Sequence, residues 1–175
     1  MSKLIKFITL EDTKKLIDAE KDKHYKLAYM LGFGSGLRIS EVIGDAKYPP
    51  LNKDMVDLKT HQIRLKGKGK GEGKERITTT SPWLTEAAIT MLPLKMPRRT
   101  LQNRIECSSL RVLGHKVSFH TLRHGFGNYM VNVKNVPLPM VQQMMGHSRI
   151  DTTGIYTKAN PVETINQAWN AWGDK

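Results

Sequence analysis

Met145-Gly146-His147-Ser148-Arg149-Ile150-Asp151-Thr152-Thr153-Gly154-Ile155-Tyr156 reads as a helix that stops at a glycine, a histidine presented from the turn behind it, and a tyrosine nine residues further on. Glycine suits such a stop because it takes up the left-handed backbone of a helix C-terminus without a Cβ clash. The tyrosine by itself is an ordinary core or interface residue, since a phenol that ionises at about 10 is a poor nucleophile at neutral pH. Only its surroundings can make it reactive, so the rest of the chain has to be read for groups that would do so.

Working back along the chain, His120-Thr121-Leu122-Arg123-His124 sets a histidine and an arginine three residues apart, and at a helix start both side chains then face one ligand. Arg38 follows Ser35-Gly36-Leu37 at the entrance of a helix that starts near Ile39. There its planar fork of donors and the free N–H groups of the helix start suit two phosphate oxygens, although a lone arginine is ordinarily a surface charge. Glu41, three residues on, either holds that guanidinium or caps the helix as its N3 acid, and the spacing leaves both roles open. Met55 to Leu65 and Glu75 to Thr79 read as strands, separated by Lys66-Gly67-Lys68-Gly69-Lys70-Gly71-Glu72-Gly73-Lys74. The ammonium groups of this basic, glycine-rich hairpin tip can reach into a groove, donate a proton to a leaving oxygen or only contact phosphate, and a solvated turn is the plain alternative. Lys66, Lys70, Lys74 and Arg76 are accordingly expected on DNA.

These groups share one use. Attack on a phosphodiester needs the charge of a pentacovalent phosphorane neutralised, and two arginines with a histidine donor do this without a metal ion. A lysine can protonate the departing 5′ oxygen, and a histidine near the nucleophile can accept the phenolic proton or hydrogen-bond the phosphate. The rival use of His120, His124 and His147 as metal ligands lacks a His-Glu-x-x-His pattern and an acidic partner cluster, so no metal and no cofactor are expected.

Composition points the same way. The 175 residues fit one domain with a real core, and 28 Lys and Arg against 16 Asp and Glu give a formal charge of +12, which suits a polyanionic partner or, more plainly, a soluble basic surface. The single cysteine, Cys107, rules out an intrachain disulfide and a cysteine-rich zinc module, and is expected to be ordinary packing in a helix. No apolar run is long enough to span a bilayer and Met1 to Ile8 lack a signal-peptide core, so a cytoplasmic protein without a membrane partner is expected. Thr9 with Glu11 and Asp12 starts a helix running to about Lys21, with Leu16 and Ile17 as its buried stripe. Further helices are read near 84–92, 100–113, 121–133, 138–146 and 161–172, with breaks at Pro93, Pro97, Gly114, Pro137 and Gly154.

The order Gly-Leu-Arg-Ile-Ser-Glu (36–41), Gly-Lys-Gly (67–69), His-x-x-Arg-His (120–124), Gly-His-Ser (146–148) and Thr-Thr-x-x-Tyr (152–156) closely resembles the tyrosine recombinase, or phage integrase, family from about Thr9 to Tyr156. The resemblance implies a mainly α catalytic domain with a small three-stranded antiparallel sheet, covering residues 1–175, with the family's N-terminal DNA-clamping domain missing. By position it makes Arg38 and Arg123 the clamp on the scissile phosphate, His120 and His147 the hydrogen-bonding pair, Tyr156 the nucleophile and Glu41 the supporting acid, with His124 beside them. Lys68 is the first choice for general acid and Lys70 the alternative, because residues 67–76 are longer than the usual Gly-Lys-Gly-x-Lys-x-Arg. The implied chemistry is a 3′-phosphotyrosyl link and a freed 5′-hydroxyl, with neither ATP nor metal, on double-stranded DNA. A homotetramer on DNA is implied, with a monomer possible in solution. The stretch from Trp83 to Val117 departs from the family's usual pattern, with little in it that aligns, and stays unassigned.

Behind Pro161, the stripe Val162, Ile165, Trp169 and Trp172 either packs onto its own domain or docks into a neighbouring protomer. Integration or excision of a viral or other mobile element is the expected use, with chromosome-dimer resolution a close variant. Two other readings are weighed against it: DNA relaxation of the type IB topoisomerase kind, and a DNA-binding module that keeps the fold without the activity.

Overall fold

A computed structural model describes residues 8–46, 48–66, 75–146 and 161–173. Helix α1 (Leu10–Ala19) begins where expected: Thr9 accepts from the Asp12 N–H at 3.1 Å, Glu11 and Asp12 complement the positive helix end, and Leu16 and Ile17 are buried. Helix α2 (Lys23–Gly34), capped by Asp22, is the centre of the first hydrophobic cluster, with Leu27, Ala28, Tyr29, Leu31 and Phe33 all buried. It crosses α6 (Phe119–Asn128) closely, Gly32 lying against Phe119 and Leu122. The buried carboxylate of Glu20 links α1 and α2 to α5 (Arg98–Leu113). It accepts from Arg104 Nη2 at 2.7 Å, Arg104 Nε at 2.9 Å and the Tyr29 hydroxyl at 3.3 Å. Burial pushes the Glu20 pKa up, but the Arg104 donors outweigh it and hold the carboxyl below its ordinary range.

Helix α3 (Ile39–Ile43) follows the Gly36 turn, and a 3-10 turn at Lys53–Met55 leads into the sheet. The segment expected as one strand from Met55 to Leu65 is two, β1 (Val56–Asp57) and β2 (Gln62–Lys66). Asp57 Oδ1 accepts from the N–H groups of Lys59 at 2.9 Å and Thr60 at 3.0 Å, and His61 at φ 56° closes the reversal. Strand β3 (Glu75–Thr79) pairs antiparallel with β2, Ile63 opposite Thr78 and Lys66 opposite Glu75, which completes the expected three-stranded sheet in the order β1-β2-β3.

The short α4 (Glu86–Ile89), capped by Thr85, is all that forms of the helix expected over 84–92. Helix α5 puts Leu101 and Ile105 inward but exposes Cys107, so the expectation of a packed thiol is corrected. Helix α6 starts two residues before the expected 121, because Ser118 caps it and shares a capping box with Thr121. Its continuation over Tyr129–Val133 is a π-helical turn. Helix α7 (Leu138–Met145) ends at Gly146, and α8 (Pro161–Gly173) closes the described chain.

A second cluster joins Phe126, Met130, Val136, Val141, Met144 and Met145 to Ile165, Ala168 and Ala171 of α8. Trp172 meets Trp83 edge-on at 5.3 Å and Tyr129 at 5.4 Å between ring centroids, while Trp169 stacks on His61. Ile165, Trp169 and Trp172 of the α8 stripe therefore pack onto their own domain in this structure, while the Val162 side chain lies outside the described residues. No helix among the described residues is long and apolar enough to cross a membrane.

Candidate active site

Elements distant in sequence meet at one place, the C-terminal end of α7. The last carbonyls of a helix lack internal partners and carry its negative dipole end, which favours cations there. Three guanidinium groups from three elements occupy that end. Arg38, the N-cap residue of α3, donates from Nη2 to the Gly146 carbonyl at 2.9 Å. Arg123, on α6 and 1% exposed, donates from Nη2 to the Met145 carbonyl and from Nη1 to the Gly36 carbonyl at 2.5 Å. Arg76, on β3, donates from Nη1 to the Met144 carbonyl.

Glu41 stands among these cations with its side chain 14% exposed. Sequence spacing left its role open, and the structure gives it both: Oε1 accepts from Arg38 Nη1 at 2.9 Å, while Oε2 accepts from the Arg38 backbone N–H at 2.6 Å. It also accepts from Arg76 Nη2 at 2.5 Å and Nε at 3.3 Å, and lies 3.9 Å from Arg123. Burial pushes its pKa up, yet the charge of Arg76 and the bonds from Arg38 outweigh that and keep the carboxylate ionised. Three guanidiniums against one carboxylate leave the cluster two positive charges in excess. Burial, then the like charges of Arg38 and Arg76, push the Arg123 pKa down to about 9, so it stays cationic at neutral pH.

Arg76, grouped by sequence with the hairpin lysines as an expected DNA contact, has a side chain only 9% exposed, with its donors directed to Glu41 and Met144. The available signal was the two-residue period of β3, which puts Arg76 on the same face as buried Thr78, whose hydroxyl donates to the Ser35 carbonyl at 2.8 Å. By contrast Arg38 keeps 39% of its side chain open to solvent.

His120, in the first turn of α6, is exposed, and His124 one turn later is half-buried; their rings stand edge to face, 4.2 Å between centroids. Burial lowers the pKa of His120, helped by the charges of His124, Arg123 and Arg38, and burial and then Arg123 lower that of His124. Both rings are neutral hydrogen-bonding groups at pH 7, on the rim of the arginine cluster. Among the described residues no three of His, Cys, Asp and Glu come together. Lys68, Lys70, Lys74, His147 and Tyr156 lie outside the described residues, as does the Lys66 side chain at the end of β2.

A family model described as the phage integrase family matches residues 93–163. The chain is 32% identical over 178 residues to tyrosine recombinase XerC of Pseudomonas syringae pv. tomato, covering 89% of this chain and 56% of that protein. It is 30% identical over 184 residues to tyrosine recombinase XerA of Thermococcus kodakarensis, covering 94% and 62%. It thus spans somewhat more than half the length of these relatives. Among solved structures, the integrase from mycobacterium phage Brujita superposes with a TM-score of 0.72 at 22% identity, over 96% of this chain and 59% of that one. The Tn1549 transposon integrase in complex with transposon right end DNA does so at 0.57 and 16%, over 95% and 62%. Motif order, fold and relatives agree: the chain belongs to the phage integrase family, the tyrosine recombinases, and carries that family's catalytic-domain fold.

Proposed function

We propose that this chain is the catalytic domain of a site-specific DNA recombinase that cleaves and rejoins strands through Tyr156. The phenolic oxygen attacks the scissile phosphorus, the P–O5′ bond breaks, and the 5′ oxygen leaves with a proton from Lys68 or Lys70. The product is a 3′-phosphotyrosyl bond and a 5′-hydroxyl. A 5′-hydroxyl from the partner duplex then attacks the same phosphorus and returns the phenol, so one ester is made for each one broken and no external energy is needed. His147 accepts the phenolic proton or hydrogen-bonds the phosphate.

The observation that carries this reading is the arginine cluster around Glu41. A phosphodiester monoanion attacked by a phenolate passes through a phosphorane with two negative charges, which is the excess positive charge the cluster holds. Preorganised donors aimed at developing charge are the largest single contribution in many enzymes. Arg38, being partly open, is the donor that can exchange the Gly146 carbonyl for a phosphate oxygen. His120 and His124 line the approach. The net charge of +12 supports double-stranded DNA as the substrate, and the family resemblance extends the reading to a tetramer on paired duplexes serving integration or excision of a mobile element.

The test is a library of duplexes nicked beside the cut position, so that the cleaved end diffuses away and the covalent species accumulates. A DNA-sized increase in mass on a denaturing gel is expected for the native chain and none for Tyr156→Phe. Binding without any adduct would overturn the reading in favour of a non-catalytic module. Relaxation of supercoiled DNA with no site dependence would favour a topoisomerase.

A further inference from the structure

We propose that Arg76 is a positioning residue of this reaction: it makes no contact with DNA, and instead clamps Glu41, and through it Arg38, to the C-terminal end of α7. The inference rests on the strand-transfer reading above.

The clamp is a matter of geometry. Arg76 stands on β3 one residue from the base of the hairpin, where Glu75 pairs with Lys66. Its guanidinium spends Nε and Nη2 on the two Glu41 oxygens and Nη1 on the Met144 carbonyl. A guanidinium with five donors in a fixed fork can bridge a carboxylate and a carbonyl at once, whereas an ammonium group is a point charge. The contact is close, since a Cβ at Gly146 would come within 2.6 Å of Arg76 Cδ. Three structures are thereby fixed to one another: the hairpin base that carries the candidate lysines, the α3 start that carries Arg38, and the α7 end from which the chain leaves toward His147 and Tyr156.

Charge balance explains why the fork matters for Arg38. Glu41 is shared among three cations, with Arg123 the most distant at 3.9 Å. Removing Arg76 leaves the carboxylate free to turn toward Arg123, and Arg38 then loses the bond at 2.9 Å that aims its guanidinium. A residue working this way affects the rate of the chemical step and not the grip on DNA. A misplacement of about 1 Å in a catalytic array costs roughly 100-fold in rate.

Single-turnover cleavage of the nicked duplex is measured for Arg76→Met, Arg76→Lys, Glu41→Gln and the Arg76→Met, Glu41→Gln double variant, with DNA affinity followed across salt. The cleavage rate constant is expected to fall roughly 100-fold in both Arg76 variants. Adduct yield at long times, DNA affinity and its salt slope are expected to stay native. The double variant is expected to be no slower than Glu41→Gln alone, because both act through one array. A residue needed only for folding would lower the adduct yield and leave the rate constant of the folded molecules unchanged, and that result overturns the proposal. So does a salt slope flattened by about 0.9, the signature of one lost phosphate contact, and so does an additive double variant. If Arg76→Met does not fold, Arg76→Lys decides the rate and slope comparison by itself. A native chain that forms no adduct on any duplex sinks the recombinase reading itself, whereas a native adduct formed at unchanged rate by the Arg76 variants sinks only this inference.

Discussion

His120 and His124 meet edge to face beside two guanidiniums, and under the proposed strand transfer that placement would make them sensors of the scissile phosphate. In the free protein, burial and the neighbouring cations hold both pKa values below the ordinary histidine value of about 6.5, so the neutral form of each ring predominates at that pH. A phosphate in the clamp offsets the charges of Arg38 and Arg123 and adds a negative charge, which favours imidazolium. The bound complex therefore has the higher pKa and holds more protons, and affinity must rise as pH falls toward about 6. Calorimetry at pH about 6.5 in two buffers of different ionisation enthalpy is expected to show proton uptake on DNA binding. The uptake should shrink in the His120→Gln, His124→Gln double variant. Equal heats in both buffers would remove these rings from the phosphate. At this scale the sequence disclosed residue types and their order, and the structure gathers Arg38, Glu41 and Arg123 into one cluster with His120 at its rim. Arg76 reads as one more surface cation beside a lysine-rich loop, because its burial against Glu41 depends on a strand register that local sequence does not display.

Helix starts were legible in part. Thr9 reads directly as a cap, whereas Asp22, Thr85 and Ser118 cap helices whose starts were not placed at them, although each supplies the side-chain oxygen that satisfies a free N–H. Interruptions inside apolar runs were less so: Asp57 and His61 divide an expected strand by a turn whose bonds are purely local. Two C-terminal glycines offer a controlled comparison. Gly114 after α5 and Gly146 after α7 both have left-handed backbone, φ 74° and 63°. A Cβ at Gly114 meets nothing within 4 Å, whereas at Gly146 it meets Arg76 Cδ at 2.6 Å. Gly114→Ala should thus lose only the conformational term, about 1–2 kcal/mol, and leave cleavage unchanged. Gly146→Ala should lose more stability and also slow cleavage, because it displaces the arginine that holds Glu41. Chemical denaturation together with the adduct assay checks this, and equal losses of stability with native cleavage in both variants would show that the arginine cluster tolerates movement of the α7 end.

The whole molecule assembles its site from distant parts. Arg38 reaches a carbonyl 108 positions away, and Arg76 one 68 positions away, so no local window of sequence could have disclosed the cluster. Closing the described chain is α8, whose contacts tie the two hydrophobic clusters together through Trp172 and Tyr129. Its seat is nevertheless partly polar. Trp172 Nε1, His61 Nδ1, Ser35 Oγ, Thr80 Oγ1 and Ser81 Oγ are buried without a hydrogen-bond partner among the described residues. They lie along one seam: His61 stacks on Trp169, Trp172 meets Trp83, and a Cβ at Gly34, next to Ser35, would touch both Ser81 and Trp83. These polar groups leave α8 seated mainly on Ile165, Ala168 and Ala171, a smaller apolar contact than the one that holds α2. Detachment of α8 should therefore need less free energy than global unfolding. All three tryptophans of the chain, Trp83, Trp169 and Trp172, stand at this seam, so their fluorescence reports on α8 directly. In a urea titration the fluorescence midpoint is expected below the far-ultraviolet circular dichroism midpoint, with α8 amides exchanging hydrogen faster than those of α2. Coincident transitions would mean that α8 is an integral part of one cooperative core. The separation expected here instead leaves a helix with an apolar face that can leave its own domain while the rest stays folded, which is the property that docking into a neighbouring protomer on DNA would require.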